Sequence, residues 1–309
     1  MAQDLDAGPR VVTAPFADRL AGCVERKRSQ LVVGLDPRLD LLPVELRGEA
    51  VFGRGEAASA YARFCCGIVD AVAPHVVAVK PQVAFFETLG ADGFAALERV
   101  CGYARDAGLL VLADGKRGDI GSTARAYAAA YLEPREEDAP LADALTVNTY
   151  LGEDSIEPFL QACRLHGAGI FCLVRTSNAG ATDVQELALS DGSRVWQHVA
   201  RLVAEWGEGV VGERGLSSVG AVVGATVPRA VAEARKLMPQ APLLLPGVGA
   251  QGATPADVAR AFTSGPASAL VTASRSVIYA YRAGAADWRA AAGAEAARLR
   301  REVWAVSGW

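Results

Sequence analysis

The sequence predicts a closed (β/α)8 barrel, a TIM barrel. Short apolar runs recur eight times along the 309 residues, amphipathic stretches of helical period lie between them, and polar residues gather where the runs end. Runs that are apolar at nearly every position suit parallel strands covered on both faces. Strand then helix, eight times over, closes most simply as a barrel. A doubly wound open sheet is the alternative, but no Gly-x-Gly-x-x-Gly follows the first run. The length fits: such a barrel commonly needs about 250 residues plus insertions.

The strands are expected at 31–35, 76–79, 109–113, 144–147, 169–174, 219–223, 242–245 and 267–272, with amphipathic helices at 57–72, 93–107 and 227–238 among the connections. They end in turn at Asp36, Lys80, Asp114 with Lys116, Asn148, the 175–178 segment, Thr226, the glycine-rich 246–252 loop and Ser274-Arg275. The C-terminal rim of a (β/α)8 barrel carries the active site, so these residues should converge on one mouth. Residues 1–14 read as a disordered lead-in and 15–309 as one barrel domain. Two segments fall outside the repeat: an insertion at about 183–218 with its own helix, and an amphipathic tail at about 285–309. Both are expected to cover the barrel exterior.

Composition narrows the function. The formal net charge is -4 and no basic block occurs, so neither nucleic acid nor an anionic membrane is an expected partner. No apolar run reaches the roughly 18 residues of a membrane span. A small-molecule ligand remains. Six cysteines lack any Cys-x-x-Cys pair, which favours a reducing, cytoplasmic setting over a disulfide framework. His75, His166 and His198 show neither metal-ligand spacing nor a place at a strand end, so no metal site and no Ser/His/Asp triad is expected.

The densest chemistry is Asp114-Gly115-Lys116-Arg117-Gly118-Asp119. Residues two apart on a strand share a face, so Asp114 and Lys116 should interact, with Asp119 just beyond the strand. Lys80, on an inner barrel face, needs counterions, and Asp114 and Asp119 are the natural ones. Neutral, Lys80 could form a Schiff base; charged, it would position acids and substrate hydroxyls, and the nearby carboxylates favour the charged form. Asp36 adds an acid at the rim. Pro246-Gly247-Val248-Gly249-Ala250-Gln251-Gly252 with Arg275 at the next strand end suggests a phosphate site of backbone N–H groups and a guanidinium.

Gly34-Leu35-Asp36-Pro37-Arg38, Lys80-Pro81-Gln82-Val83-Ala84-Phe85-Phe86-Glu87, Asp114 to Thr123, Thr176-Ser177-Asn178 and the 246–252 loop, in this order, closely resemble the orotidine 5′-phosphate decarboxylase family in its longer bacterial, type 2 form. The resemblance spans roughly residues 16 to 280. It implies an alternating array of Lys80, Asp114, Lys116 and Asp119, with Lys116 the proton donor to C6 of the pyrimidine and Asp114 against the departing carboxylate. By the same resemblance Asp36 and Lys80 bind ribose hydroxyls, while Asp119 and Thr123 serve the neighbouring subunit of a homodimer with shared active sites. Ser177, with Thr176 or Asn178 able to replace it, reads the pyrimidine edge, and Pro246 packs on the base. Gln251 bridges base and phosphate, and Gly249, Gly252 and Arg275 hold the phosphate. The implied reaction turns orotidine 5′-monophosphate into UMP and CO2 without a cofactor.

Elementary physics agrees. Decarboxylation without an electron sink builds negative charge on a ring carbon, and a fixed ammonium aimed there stabilises the transition state more than the ground state. Two rivals are a Mg-dependent sugar-phosphate decarboxylase or aldolase on a related barrel, and a non-catalytic nucleotide-binding barrel.

Overall fold

Runs of valine, leucine and alanine without a polar face require cover on both sides. In the computed structural model, which describes residues 14–48, 53–135, 139–249 and 252–309, they form β1 (Leu31–Leu35), β2 (Ala78–Pro81), β3 (Leu110–Arg117), β4 (Ala144–Val147), β5 (Gly169–Arg175), β6 (Val219–Val223), β7 (Leu243–Pro246) and β8 (Ala269–Ala273). Among the described residues these eight strands pair in parallel in chain order, and β8 closes on β1. β1, β4 and β6 match the expected runs. β3 continues past 113 because its charged segment stays paired with β4 through a bulge.

Period-two alternation divides the barrel into two apolar clusters. Val32, Ala78, Leu112, Ala144, Phe171, Val222, Leu244 and Leu270 belong to one, inside the barrel. Their neighbours Leu31, Val33, Val79, Val111, Leu145, Ile170, Cys172 and Val271 join the helices outside. A helix that the sequence reading did not assign, Phe16–Lys27, supplies Phe16, Leu20 and Val24 to the inner cluster. Phe16 meets Phe171 edge-on with ring centroids 5.9 Å apart, and Arg19 pairs with Asp143, whose Oδ2 accepts the Val111 N–H at 2.8 Å. The helix thus plugs the N-terminal end. Of the next inward positions, two residues on, four are polar and buried: Lys80, Asp114, Thr146 and Thr272. That step from apolar to polar places the site at the C-terminal rim.

The outer helices hold the rim in place. Phe64, on the Arg54–Val72 helix, stacks on Tyr279 with centroids 5.8 Å apart. The Tyr279 hydroxyl donates to the Asp36 carbonyl at 2.9 Å and accepts the Arg38 N–H at 2.9 Å, pinning the loop after β1. Within 183–218, the Val195–Gly207 helix packs on β5 and β6, the place of a crossover helix in the repeat. The tail forms a helix, Trp288–Ser307, against the Arg54–Val72 helix. No helix among the described residues is long and apolar enough to cross a membrane.

Candidate active site

Adjacent strand ends, together with a register shift in β3, bring the charged residues to one point. Lys80 Nζ donates to Asp114 Oδ2 at 2.5 Å, and Lys116 Nζ donates to Asp114 Oδ1 at 2.5 Å. Gln82 Nε2 adds a bond to Oδ2 at 3.2 Å and the Thr146 hydroxyl one to Oδ1 at 3.0 Å. Asp114 is therefore the hub. Burial opposes its ionisation, but Lys80 and Lys116 outweigh burial and hold the carboxyl well below the usual carboxylate range. For Lys80, burial likewise opposes the charge, and Asp114 and Asp36 overcome it, so the ammonium is held above its ordinary value. A charged Lys80 suits positioning better than Schiff-base chemistry.

Asp36 behaves differently. Burial dominates and pushes its carboxyl up, against the pull of Lys80. Its Oδ1 is buried without a hydrogen-bond partner, as are the hydroxyls of Thr272 and Ser276. Gly34 is required beside it, because a Cβ there would lie 1.8 Å from Ser274 Oγ.

These groups face a cavity of about 420 Å³ lined by Asp36, Lys80, Asp114, Pro246, Thr272 and Arg275, with Phe85 as an apolar wall. The volume suits a small polar ligand. Arg275 stands exposed at its edge, at the start of a one-turn helix after β8. The loop after β7 is shaped by Gly247 and Gly249 at φ 116° and 83°, with Gly252 at φ 90°, values that favour glycine.

Residues 29–291 match the model of the Orotidine 5′-phosphate decarboxylase / HUMPS family. This chain belongs to that family. Relatives named orotidine 5′-phosphate decarboxylase include one from Rhodopirellula baltica, 49% identical over 270 residues that cover 86% of this chain and 89% of the relative. Another, from Deinococcus radiodurans, is 46% identical over 269 residues, 87% of this chain and 91% of the relative. A crystal structure from Streptomyces avermitilis, provisionally assigned as orotidine 5′-phosphate decarboxylase, matches with a TM-score of 0.80 at 38% identity and covers 97% of this chain and 98% of that one.

For a member of the orotidine 5′-phosphate decarboxylase family, the expected residues divide into two groups. Lys80, Asp114, Asp36, Pro246 and Arg275 share the cavity, and Lys116 joins them through Asp114. Asp119 lies past β3, partly exposed, with Oδ1 accepting the Ile120 N–H at 2.8 Å. Within this chain the second acid beside Lys80 is Asp36, not the anticipated Asp119. Thr123 is exposed on the Gly121–Leu132 helix. Ser177 is partly exposed and lies against Gly224, where a Cβ would come within 2.9 Å of its Cα. Thr176 is occupied on both sides, with Gln185 Nε2 donating to its hydroxyl at 2.8 Å and that hydroxyl donating to Asn178 at 2.6 Å. The Gly249 N–H donates to Ala253 O and the Gly252 N–H to Gly249 O, so both amides are used within the loop. Gln251 lies outside the described residues.

The sequence reading missed Gln82, Thr146 and Thr272 as site residues. Strand parity was the usable signal: each lies two residues beyond an inward position, on the polar side of the apolar layer.

Proposed function

We propose that this chain decarboxylates orotidine 5′-monophosphate to UMP and CO2, without a cofactor, as a step of pyrimidine nucleotide synthesis. The observation that carries the reading is the Lys80–Asp114–Lys116 array at the mouth of the cavity, with both ammonium groups 2.5 Å from one carboxylate. In this mechanism the bond between C6 and the carboxylate breaks, its electron pair stays on C6, and a proton from Lys116 Nζ forms the new C–H bond. Lys116 then regains a proton from solvent. Charge develops only as CO2 leaves, so a fixed ammonium favours the transition state over the ground state. Asp114, kept ionised by its two lysines, stands against the substrate carboxylate.

Asp36 and Lys80 bind the ribose hydroxyls, and Asp36 Oδ1, buried without a partner, supplies an acceptor for one of them. Pro246 packs on the base and Ser177 reads its edge. Arg275, at the cavity edge, binds the phosphate with Gly249, Gly252 and Gln251. Since the amides of Gly249 and Gly252 are engaged within the loop, phosphate binding in this reading includes a rearrangement there.

The enzyme acts as a homodimer in which Asp119 and Thr123 complete the partner subunit's site. Exposed apolar side chains on the same rim support this: Ile120 is 55% exposed, Leu151 50% and Tyr150 83%. The cytoplasm is the proposed location, a reading supported by six free cysteines, five of them buried.

The test is decarboxylation of orotidine 5′-monophosphate by the purified chain, followed as CO2 release. The native protein should turn over, and Lys116→Ala should lose nearly all turnover while still folding. Undiminished activity in Lys116→Ala would remove the assignment of the proton donor.

A further inference from the structure

β3 and β4 pair Ala113 with Leu145 and Arg117 with Val147, so Asp114, Gly115 and Lys116 all stand opposite one residue, Thr146. This is a bulge, the device by which a strand re-aims a side chain beside a site. Lys116 and Asp114 meet because the bulge turns the backbone, not through plain strand alternation. Lys116 has φ 48°, in the left-handed region that residues with side chains rarely adopt. Arg28, the other such non-glycine residue among those described, closes a helix, where that conformation is customary. Lys116 has no such excuse, and its conformation must be held by its surroundings.

Thr146 supplies the hold. The Lys116 N–H donates to Thr146 Oγ1 at 2.9 Å. The same hydroxyl donates at 3.0 Å to Asp114 Oδ1, the oxygen that accepts Lys116 Nζ at 2.5 Å. One hydroxyl therefore closes a ring that starts at the backbone of Lys116 and returns to its ammonium. A hydroxyl is suited to this because it accepts and donates at once. Thr146 is 2% exposed, so water does not compete for either bond. The following residue is anchored outward, with Arg117 paired to Glu87 and bonded to the Tyr131 hydroxyl at 3.0 Å.

We propose that Thr146 is a positioning residue: its hydroxyl fixes the bulged backbone of Lys116 and the orientation of Asp114 together, and so aims the Lys116 ammonium at the reacting carbon. This rests on Lys116 being the proton donor of the proposed reaction. Thr146→Val keeps the shape and removes the hydroxyl, whereas Thr146→Ser keeps the hydroxyl. A displacement of about 1 Å at the reacting group can cost on the order of 100-fold, so kcat should fall by about that factor in Thr146→Val. Inhibition by UMP, which reports binding of the nucleotide, should stay within about threefold of native, and Thr146→Ser should recover most of the rate.

Steady-state kinetics of the three proteins, with melting curves to establish that each is folded at the assay temperature, decide the matter. An unchanged kcat in a folded Thr146→Val overturns the inference, and so does a parallel loss of kcat and UMP binding. Should Thr146→Val fail to fold, Thr146→Cys, with only a weak donor, is held to the same criteria. Native protein without decarboxylase activity overturns the proposed function and this inference with it; an active native protein beside an unimpaired Thr146→Val overturns this inference alone.

Discussion

Lys80 and Asp114 form an ion pair at 2.5 Å whose side chains are only 8% and 10% exposed. Two charges withdrawn this far from water stabilise the fold only while both are present. Replacing Asp114 takes from buried Lys80 its hydrogen-bonded counterion and leaves only Asp36 as an acid beside it, at a cost of about 3 kcal/mol. Asp114→Asn should therefore lower the stability measured by urea unfolding by about that amount at neutral pH. The pH dependence has a definite sign. The Asp114 carboxyl is held low in the folded chain, so its contribution is present above the unfolded value of about 3.9 and disappears as pH falls through the folded value. The Lys80 ammonium is held high, so its contribution is present below about 10.4 and disappears as pH rises through the folded value. Unfolding free energies measured against pH should show both losses in the native protein, and the acid loss should be smaller in Asp114→Asn.

Asp36 should respond in the opposite direction. Its carboxyl is raised by burial, so the folded chain binds a proton more readily than the unfolded chain and loses stability as pH rises past the unfolded value. Asp36→Asn removes that penalty. The variant should melt at a higher temperature than the native protein near neutral pH while its KM for orotidine 5′-monophosphate rises. A lower melting temperature would mean that the attraction between Asp36 and Lys80 outweighs burial. A site residue that weakens the fold it sits in is a common cost of function.

Arg235 is 4% exposed and its guanidinium donates to five carbonyls: Ala261 at 3.0 Å, Met238 at 2.6 Å, Pro239 at 3.1 Å, Ala241 at 2.8 Å and Ser268 at 2.5 Å. Burial lowers its pKa to about 10, so it remains charged at neutral pH. The carbonyls belong to the connections that lead into β7 and β8, at the end of the barrel opposite the site. Arg235→Met should destabilise by about 3 kcal/mol or more, since several buried carbonyls lose a charged donor together. Arg235→Lys should restore only part of that loss, because an ammonium offers three donors where the guanidinium offers five. With the site remote, kcat at temperatures where the variants stay folded should be unchanged.

What could be read from the sequence follows from what kinds of residue are out of place. Lys80 and Asp114 stood out because charge at the end of a valine-rich run is costly unless paired, and the structure pairs them. Thr146 and Thr272 did not, since threonine is ordinary in a strand and only inward parity marks it. The left-handed backbone of Lys116 left no trace, because no glycine or asparagine occupies the position. Arg235 falls in the expected 227–238 helix, where an arginine reads as surface; its burial depends on carbonyls from other elements. The Phe16–Lys27 plug escaped because it precedes the first strand and lies outside the repeat that organised the reading.

The separation of Asp119 from Lys80 within one chain bears on assembly. If Asp119 completes the partner's site, a dimer of one Lys116→Ala chain and one Asp119→Ala chain has one site with both lesions and one site with neither. Each homodimer carries a lesion in both sites and should be nearly inactive. Random association of equal amounts makes half of the dimers hybrid, so co-expressed chains should recover about a quarter of native activity. If Asp119 instead serves its own chain, every site in every dimer carries one lesion, and mixing recovers nothing. The apolar side chains of Ile120, Tyr150 and Leu151 lie on the rim that would be covered. Tyr150→Glu, which adds a charge there without touching the cavity, should lower the association measured by sedimentation and lower activity in proportion to the dimer lost.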